Sequence, residues 1–438
     1  MAATRDVKKN STVSFARQTD LTTEYTTVND FTAIACTWEA DHAQEQEDFS
    51  DFSAGQVGSF VPPAPGSKSG GSFTMSFPVK ALKVGYNPTA EDPGDAGVIS
   101  PEAVLLAAAL GSGGDTSVTT AAEFAQGYHM SRTAYDAAGI TIGSTSTNVK
   151  VTAALAAGYL DGQFFASDSS ATAGSPALGW VTNVDTVPTP DEVTVSDALA
   201  TTPASGDNSY GTAVGYISGN TPVPITIRRT GNNAAFSFRY IGCIAKSVSI
   251  NLNAKKTAMV EITWQFADRK RDSSGGGLAV AGAFERVRPT LGNSGARLTQ
   301  DGAVTCGYAD LQVSMEWEIA DVPCHSAAQG VSEFVRTLSS VNVTTTIPYN
   351  STDTITDESG PAETRYANGT DIRLMLYVGE VAGQYFSMLF PALHVDSAPQ
   401  QTELNGMMAT ELSMRPSTYT GDTGATAPAD TVIRFAVA

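Results

Sequence analysis

Leu311-Gln-Val-Ser-Met-Glu-Trp-Glu-Ile319 decides the fold class. Its odd positions, Leu311, Val313, Met315, Trp317 and Ile319, are apolar; Gln312, Ser314, Glu316 and Glu318 fall between them. Successive side chains of an extended backbone leave opposite faces, so this period of two predicts a strand with one dry and one wet face. Val260, Ile262, Trp264 and Phe266 alternate in the same way with Glu261, Thr263 and Gln265. In residues 246–253, Val248, Ile250 and Leu252 alternate with Ser247, Ser249 and Asn251. The chain is therefore predicted to be mainly β, in sheets with one wet face.

One helix is signalled within this β pattern. Ser100 is a candidate N-cap, Pro101 suits the first helical position, and Glu102 complements the positive end of the dipole. The apolar run 103–110 follows, and Gly111 offers a left-handed stop. Polar, Gly- and Pro-rich stretches at 41–68, 269–277 and 353–363 read as loops, the second as a flexible domain boundary.

The 438 residues are 42% apolar, enough for real cores and more than one domain of about 100–200 residues needs. There are 26 Lys and Arg against 45 Asp and Glu, a formal net charge of −19. Binding nucleic acid by neutralising phosphates, or anionic lipid by a basic patch, needs the opposite balance. The longest apolar run, 103–110, falls far short of the roughly 20 residues of a spanning helix, so no membrane anchor is expected. Lys8 and Lys9 lead into Asn10, Ser11 and Thr12 and not into an apolar signal core, so synthesis in the cytoplasm is expected.

The chain also repeats itself. Ser72-Phe-Thr-Met-Ser-Phe-Pro78 is answered 270 positions on by Asn342-Val-Thr-Thr-Thr-Ile-Pro348. Phe236-Ser237, Ser247 and Glu261-Ile-Thr263 are answered 150 positions on by Phe386-Ser387, Ser397 and Glu411-Leu-Ser413. Trp38-Glu39 has an echo in Trp317-Glu318. Blocks recurring in one order predict two related domains, at 1–270 and 271–438. The drop in offset leaves an insertion at about 115–225 in the first. Between Arg132 and Arg228 that stretch holds Lys150 as its one basic residue, and it reads as a separately packed, outward-lying β-rich unit.

No catalytic constellation is present. There is no G-x-S-x-G elbow, and Gly111-Ser-Gly-Gly114 follows a helix where a phosphate loop follows a strand. His42, His129, His325 and His394 form no metal or triad pattern. Cys36, Cys243, Cys306 and Cys324 include no C-x-x-C pair, and half-buried strand cysteines are expected. The acidic cluster Glu45, Glu47, Asp48 and Asp51 lacks the glycine and spacing of an EF-hand. The expectation is a protein that is not an enzyme, with no catalytic residues, metal or cofactor.

Phe238-Arg-Tyr-Ile-Gly-Cys-Ile-Ala-Lys-Ser-Val-Ser-Ile-Asn-Leu252 followed by Met259-Val-Glu-Ile-Thr-Trp-Gln-Phe266 resembles the major tail tube proteins of long, flexible-tailed bacteriophages. Residues 310–318 with 341–348 are similar to that family's hairpin, and 390–395 with 408–414 repeat the pattern. The resemblance covers residues 28–110 and 225–420 and does not extend to the insertion. It implies two β-sandwich tube domains, each with a flanking helix, in a virion protein that polymerises into stacked rings. It implies six tube domains per ring, hence three of these chains with approximate sixfold symmetry, and other tail proteins at the tube ends. The tube's inner face must then be polar, because genome DNA passes along it without specific binding. Glu261, Thr263, Gln265, Glu316, Glu318 and Glu411 are the candidates for that face, and Arg269, Lys270 and Arg271 for contacts between rings. Competing readings are a capsid decoration or tail terminator protein, or a carbohydrate-binding module using Tyr159, Phe164, Trp180 and Tyr210.

Overall fold

The computed structural model describes residues 12–18, 31–41, 71–87, 90–91, 93, 98–111, 130–133, 136–167, 177–187, 190–217, 224–230, 237–253, 256–272, 284–286, 297–300, 303–305, 310–324, 331–348, 366–379, 384–404, 406–419 and 431–438. Residues 42–68 and 353–363, Cys306, His42, His129 and His325 lie outside them.

The fold is mainly β. The alternating segments form β1 (Thr37–Asp41), β2 (Ser72–Pro78), β3 (Phe238–Asn253), β4 (Met259–Gln265), β5 (Asp310–Pro323), β6 (Val331–Pro348), β7 (Phe386–Val395), β8 (Gln400–Leu404) and β9 (Met407–Pro416). They pair antiparallel in the order β1–β2–β4–β3–β5–β6–β9, and β8 with the end of β7 lies along the far side of β9. Behind this front sheet, Thr32–Ile34, Thr12–Arg17, Ile225–Thr230, the start of β3 and Asp268–Arg271 form a rear sheet for the first half. Ala303–Thr305, Arg297–Gln300, Ile372–Val378, β7 and Arg434–Val437 do the same for the second. The apolar faces meet between the layers: Tyr240 of the rear sheet lies 5.2 Å from the Trp38 ring and 5.0 Å from Phe73.

The pairings of the first half recur in the second. Glu261 stands opposite Ser76, and Glu411 opposite Thr346. Ala245 pairs with Trp264, and Val395 with Met414. In the rear sheets Ile227 faces Tyr240 and Leu374 faces Phe390, with a register shift at the same place beside each. The tryptophan echo does not survive in register. Trp38 faces Met75, whose counterpart Thr345 faces Leu311, so Leu311 holds the position of Trp38 and Trp317 lies six residues further along an equivalent strand.

Helix α1 (Pro101–Leu110) forms where its caps predict. Ser100 Oγ accepts from the Ala103 N–H at 3.1 Å, and Gly111 ends the helix at φ 75°. All of its residues are buried, as an almost wholly apolar helix requires. Its Glu102 pairs with Lys80, so the buried carboxylate is not left alone. In the second half the described helical residues in the corresponding stretch are 366–368.

One loop expectation is corrected in part. Residues 268–271 form a strand against the start of β3, and Asp272 is fully buried between Arg228 and Arg239. Only residues 269–272 are so placed; the Ser and Gly run 273–277, on which the flexible boundary is read, lies outside the described residues. The insertion, expected as a separately packed β-rich unit, has a core of its own but also packs on the second half. Asn148–Val151, Asp191–Val195, Ala177–Asp185 and Phe164–Ser167 make a small sheet with its own core, edged by helix α2 (Ala153–Gly158). Its other face packs onto the second half, with Phe164, Leu178 and Trp180 against Met375, Tyr377 and Leu389. Ala213–Tyr216 then adds a strand beside Arg434–Val437. Sparse charge left both faces of this unit free to be buried.

Candidate functional site

The front sheet has one largely polar face, on which Met259, Val322 and Val335 are exposed apolar residues. Because directly opposed residues of antiparallel strands share a face, the registers can be read across it as rows. One row runs Glu39, Thr74, Thr263, Ser247, Glu316 and Ser340. The next runs Thr37, Ser76, Glu261, Ser249, Ser314 and Asn342, and a third runs Asn251, Gln312, Thr344 and Ser413. Thr346, Glu411 and Gln400 complete the far corner. The opposite face carries Met75, Ile262, Val248 and Met315, all buried. The sheet is one amphipathic layer across both halves.

Of the residues singled out from the sequence, Glu261, Glu316, Glu318 and Glu411 are exposed and Thr263 and Gln265 half-buried, all on this face. Thr263 Oγ1 lies 3.1 Å from Thr74 Oγ1, a cross-strand hydrogen bond in which one of the two hydroxyls donates to the other. Ser339 is the extra residue of a bulge in β6, its hydroxyl donating to the Glu316 carbonyl at 2.9 Å. It keeps Glu316 and Glu318 facing outward as the hairpin twists. Glu39 is an exposed carboxylate the candidate set lacked; its place opposite Thr74 became readable only once β1 was in register. Basic groups are few here. Lys246, at a bulge of β3, is exposed, and Arg415 is held by Asp396 at 3.0 Å.

Arg269, Lys270 and Arg271 lie elsewhere, on the rear-sheet strand. Arg269 sits 5.2 Å above the Phe238 ring, and Lys270 and Arg271 are exposed. Of the aromatics of the sugar-binding reading, three are buried and Tyr210 is half-buried. Trp180 is fully buried with Nε1 donating to Ser387 Oγ at 2.9 Å, Phe164 is buried, and Tyr159 is buried beside Ser209. Among the described residues no group of three or more His, Cys, Asp or Glu is placed to hold a metal. No described helix is long and apolar enough to cross a membrane.

No protein-family model and no curated protein matches this chain. Among solved structures, a chain from "Virion of native gene transfer agent (GTA) particle" is similar over 29% of this chain and 95% of its own, at 18% identity and a TM-score of 0.22.

Proposed function

We propose that this chain is a structural virion protein that polymerises into stacked rings forming a hollow tail tube. The observation that carries the reading is the front sheet: a largely polar, carboxylate-studded face, broken by Met259, Val322 and Val335, over two halves with matching registers. A surface that must let DNA slide through should offer no clustered cations and should repel phosphates. Glu39, Glu261, Glu316, Glu318 and Glu411 supply that repulsion. The matched registers support two tube domains per chain, so three chains complete a ring of six domains. The exposed Lys270 and Arg271 remain the candidates for contacts between rings, and other tail proteins would close the tube ends. Negative-stain microscopy of the purified protein tests this directly: hollow cylinders are expected, with native mass spectrometry giving three chains per ring. Six chains per ring, or no polymer under any condition, would overturn it.

A further inference from the structure

Lys80 and Glu102 form an ion pair that the fold shuts away from water. Nζ lies 2.5 Å from Oε1, with the Lys80 side chain 11% exposed and that of Glu102 1%. Glu102 Oε2 is buried and has no hydrogen-bond partner among the described residues. We propose that the two side chains condense into an intramolecular isopeptide bond, Lys80 Nζ to Glu102 Cδ, tying helix α1 covalently to the strand Lys80–Lys83. The bond does not depend on the tube reading and goes beyond it.

Both partners are held in place by backbone. The Ser100 N–H donates to the Ala81 carbonyl at 3.0 Å, and Ser100 Oγ donates to the Lys80 carbonyl at 2.8 Å. The Lys83 N–H donates to the Val98 carbonyl at 3.0 Å, and the strand also pairs with Phe284–Arg286. Glu102 is the second residue of α1, and helical side chains lean toward the N-terminus, so its carboxyl reaches back toward Lys80. A nucleophile fixed at contact distance from its target reacts as if at very high concentration, which offsets the slowness of condensing an unactivated acid.

Attack needs a neutral amine and an un-ionised carboxyl. A proton passed from Nζ to Oε1 within the pair supplies both, and an apolar enclosure favours this over two separated charges. Nζ then adds to Cδ, and one carboxyl oxygen leaves as water. That water takes two of the three ammonium hydrogens, and the third stays on the amide nitrogen. No oxidant, cofactor or further reactant is consumed, and two buried charges disappear. Arg228 with Asp272 is buried as deeply, but a guanidinium stays protonated and cannot attack. Lys83 with Glu91 and Lys150 with Glu192 are also in contact, yet their side chains are between 16% and 32% exposed, and hydration keeps them ionised.

Intact mass spectrometry of the purified full chain, denatured after folding, is the test, followed by tryptic mapping. Most chains are expected to weigh less than their sequence requires by the mass of one water. The map should hold a branched peptide joining the Lys80 and Glu102 segments, with no cleavage after Lys80. A full mass with ordinary cleavage after Lys80 would overturn the bond. A missing water that maps to Lys83 with Glu91, to Lys150 with Glu192, or to a succinimide elsewhere would overturn the assignment to a buried pair. Lys80→Met, which fills the same space without the amine, is expected to restore the full mass and to lower the thermal midpoint. A water still missing from that variant would remove Lys80 as the nucleophile. Should Lys80→Met fail to fold, the wild-type mass and map decide alone.

Discussion

Arg336 belongs to the second half of the chain, yet its Nη1 donates to the carbonyl of Ala109 at the end of the first half's helix, at 2.7 Å. Nη2 reaches the Leu110 carbonyl at 3.2 Å, and the guanidinium lies 4.5 Å over the Trp317 ring. A cation there meets the negative end of the α1 dipole. Burial lowers the Arg336 pKa to about 10, which still leaves it charged at neutral pH.

Arg336→Leu should therefore cost about 2–4 kcal/mol, since it strands two buried carbonyls and removes charge-assisted bonds. Arg336→Lys should recover only part, because an ammonium cannot span both carbonyls with a planar fork. Urea denaturation of the two variants checks the order. Equal stability of Leu and wild type would remove the capping role.

Much of this was readable in the sequence where a residue's neighbours in the chain decide its fate. Alternation set Glu261 and Glu316 on the wet face, and Ser100 and Gly111 bounded α1. What could not be read depends on partners far along the chain. Trp317 resembled Trp38 by its neighbours, but strand pairing assigns that position to Leu311. Asp272 sits beside Ser and Gly in the chain, and Arg228 and Arg239, brought alongside by the rear sheet, fix it. Trp180 looked like a ligand platform until Ser387, 207 positions away, took its N–H.

Trp180 tests how firmly the insertion holds the second half. Trp180→Phe removes the donor to Ser387 Oγ, which keeps its own bond to the Leu376 carbonyl at 2.8 Å, so a loss of about 1–2 kcal/mol is expected. Trp180→Ala should cost about 3–5 kcal/mol by opening a cavity among Phe164, Tyr377 and Leu389. Removing residues 131–217 altogether should leave that apolar surface bare and the protein aggregated. A soluble, cooperatively folding deletion variant would show the docking to be dispensable.

Gly215 lies where insertion, helix and C-terminal strand converge. A Cβ there would fall 2.3 Å from Phe435 Cε1 and 3.2 Å from Ala107 Cβ. Both neighbours are buried, so Gly215→Ala should destabilise by about 1–3 kcal/mol through overpacking. Thermal melts compared with an exposed control, Gly158→Ala, would isolate the effect; Gly158 has nothing within reach of an added Cβ.

Cys36 and Cys243 should be silent toward alkylation in the native protein. Burial, aided by the charge of Glu102, pushes the Cys36 thiol up to about 12, and burial raises Cys243 further. Both remain protonated at pH 8, and only the thiolate reacts. Because the folded pKa is raised, their contribution to stability is full below the ordinary thiol value of about 8.5 and falls as pH rises toward 12. Site-resolved labelling with iodoacetamide, with and without denaturant, checks this. Rapid native labelling of Cys243 would contradict its burial.

The last prediction concerns the polar face. Glu261, Glu316 and Glu411 are exposed and, in the tube reading, line a channel that repels phosphate. Reversing charge at such positions should leave folding nearly unchanged, within about 0.5 kcal/mol, because each carboxylate is solvated and structurally unburdened. The triple variant Glu261→Lys, Glu316→Lys, Glu411→Lys should still assemble if these exposed side chains face the channel and not a neighbouring copy. Its lumen, however, would carry rings of cations facing a polyanion. DNA that slides past wild-type tubes should then bind, with an affinity that falls steeply as salt rises. Fluorescence anisotropy of labelled duplex DNA with assembled tubes, between about 50 and 200 mM salt, measures both effects. Assembled variant tubes that bind DNA no better than wild type would mean that this face does not line the channel.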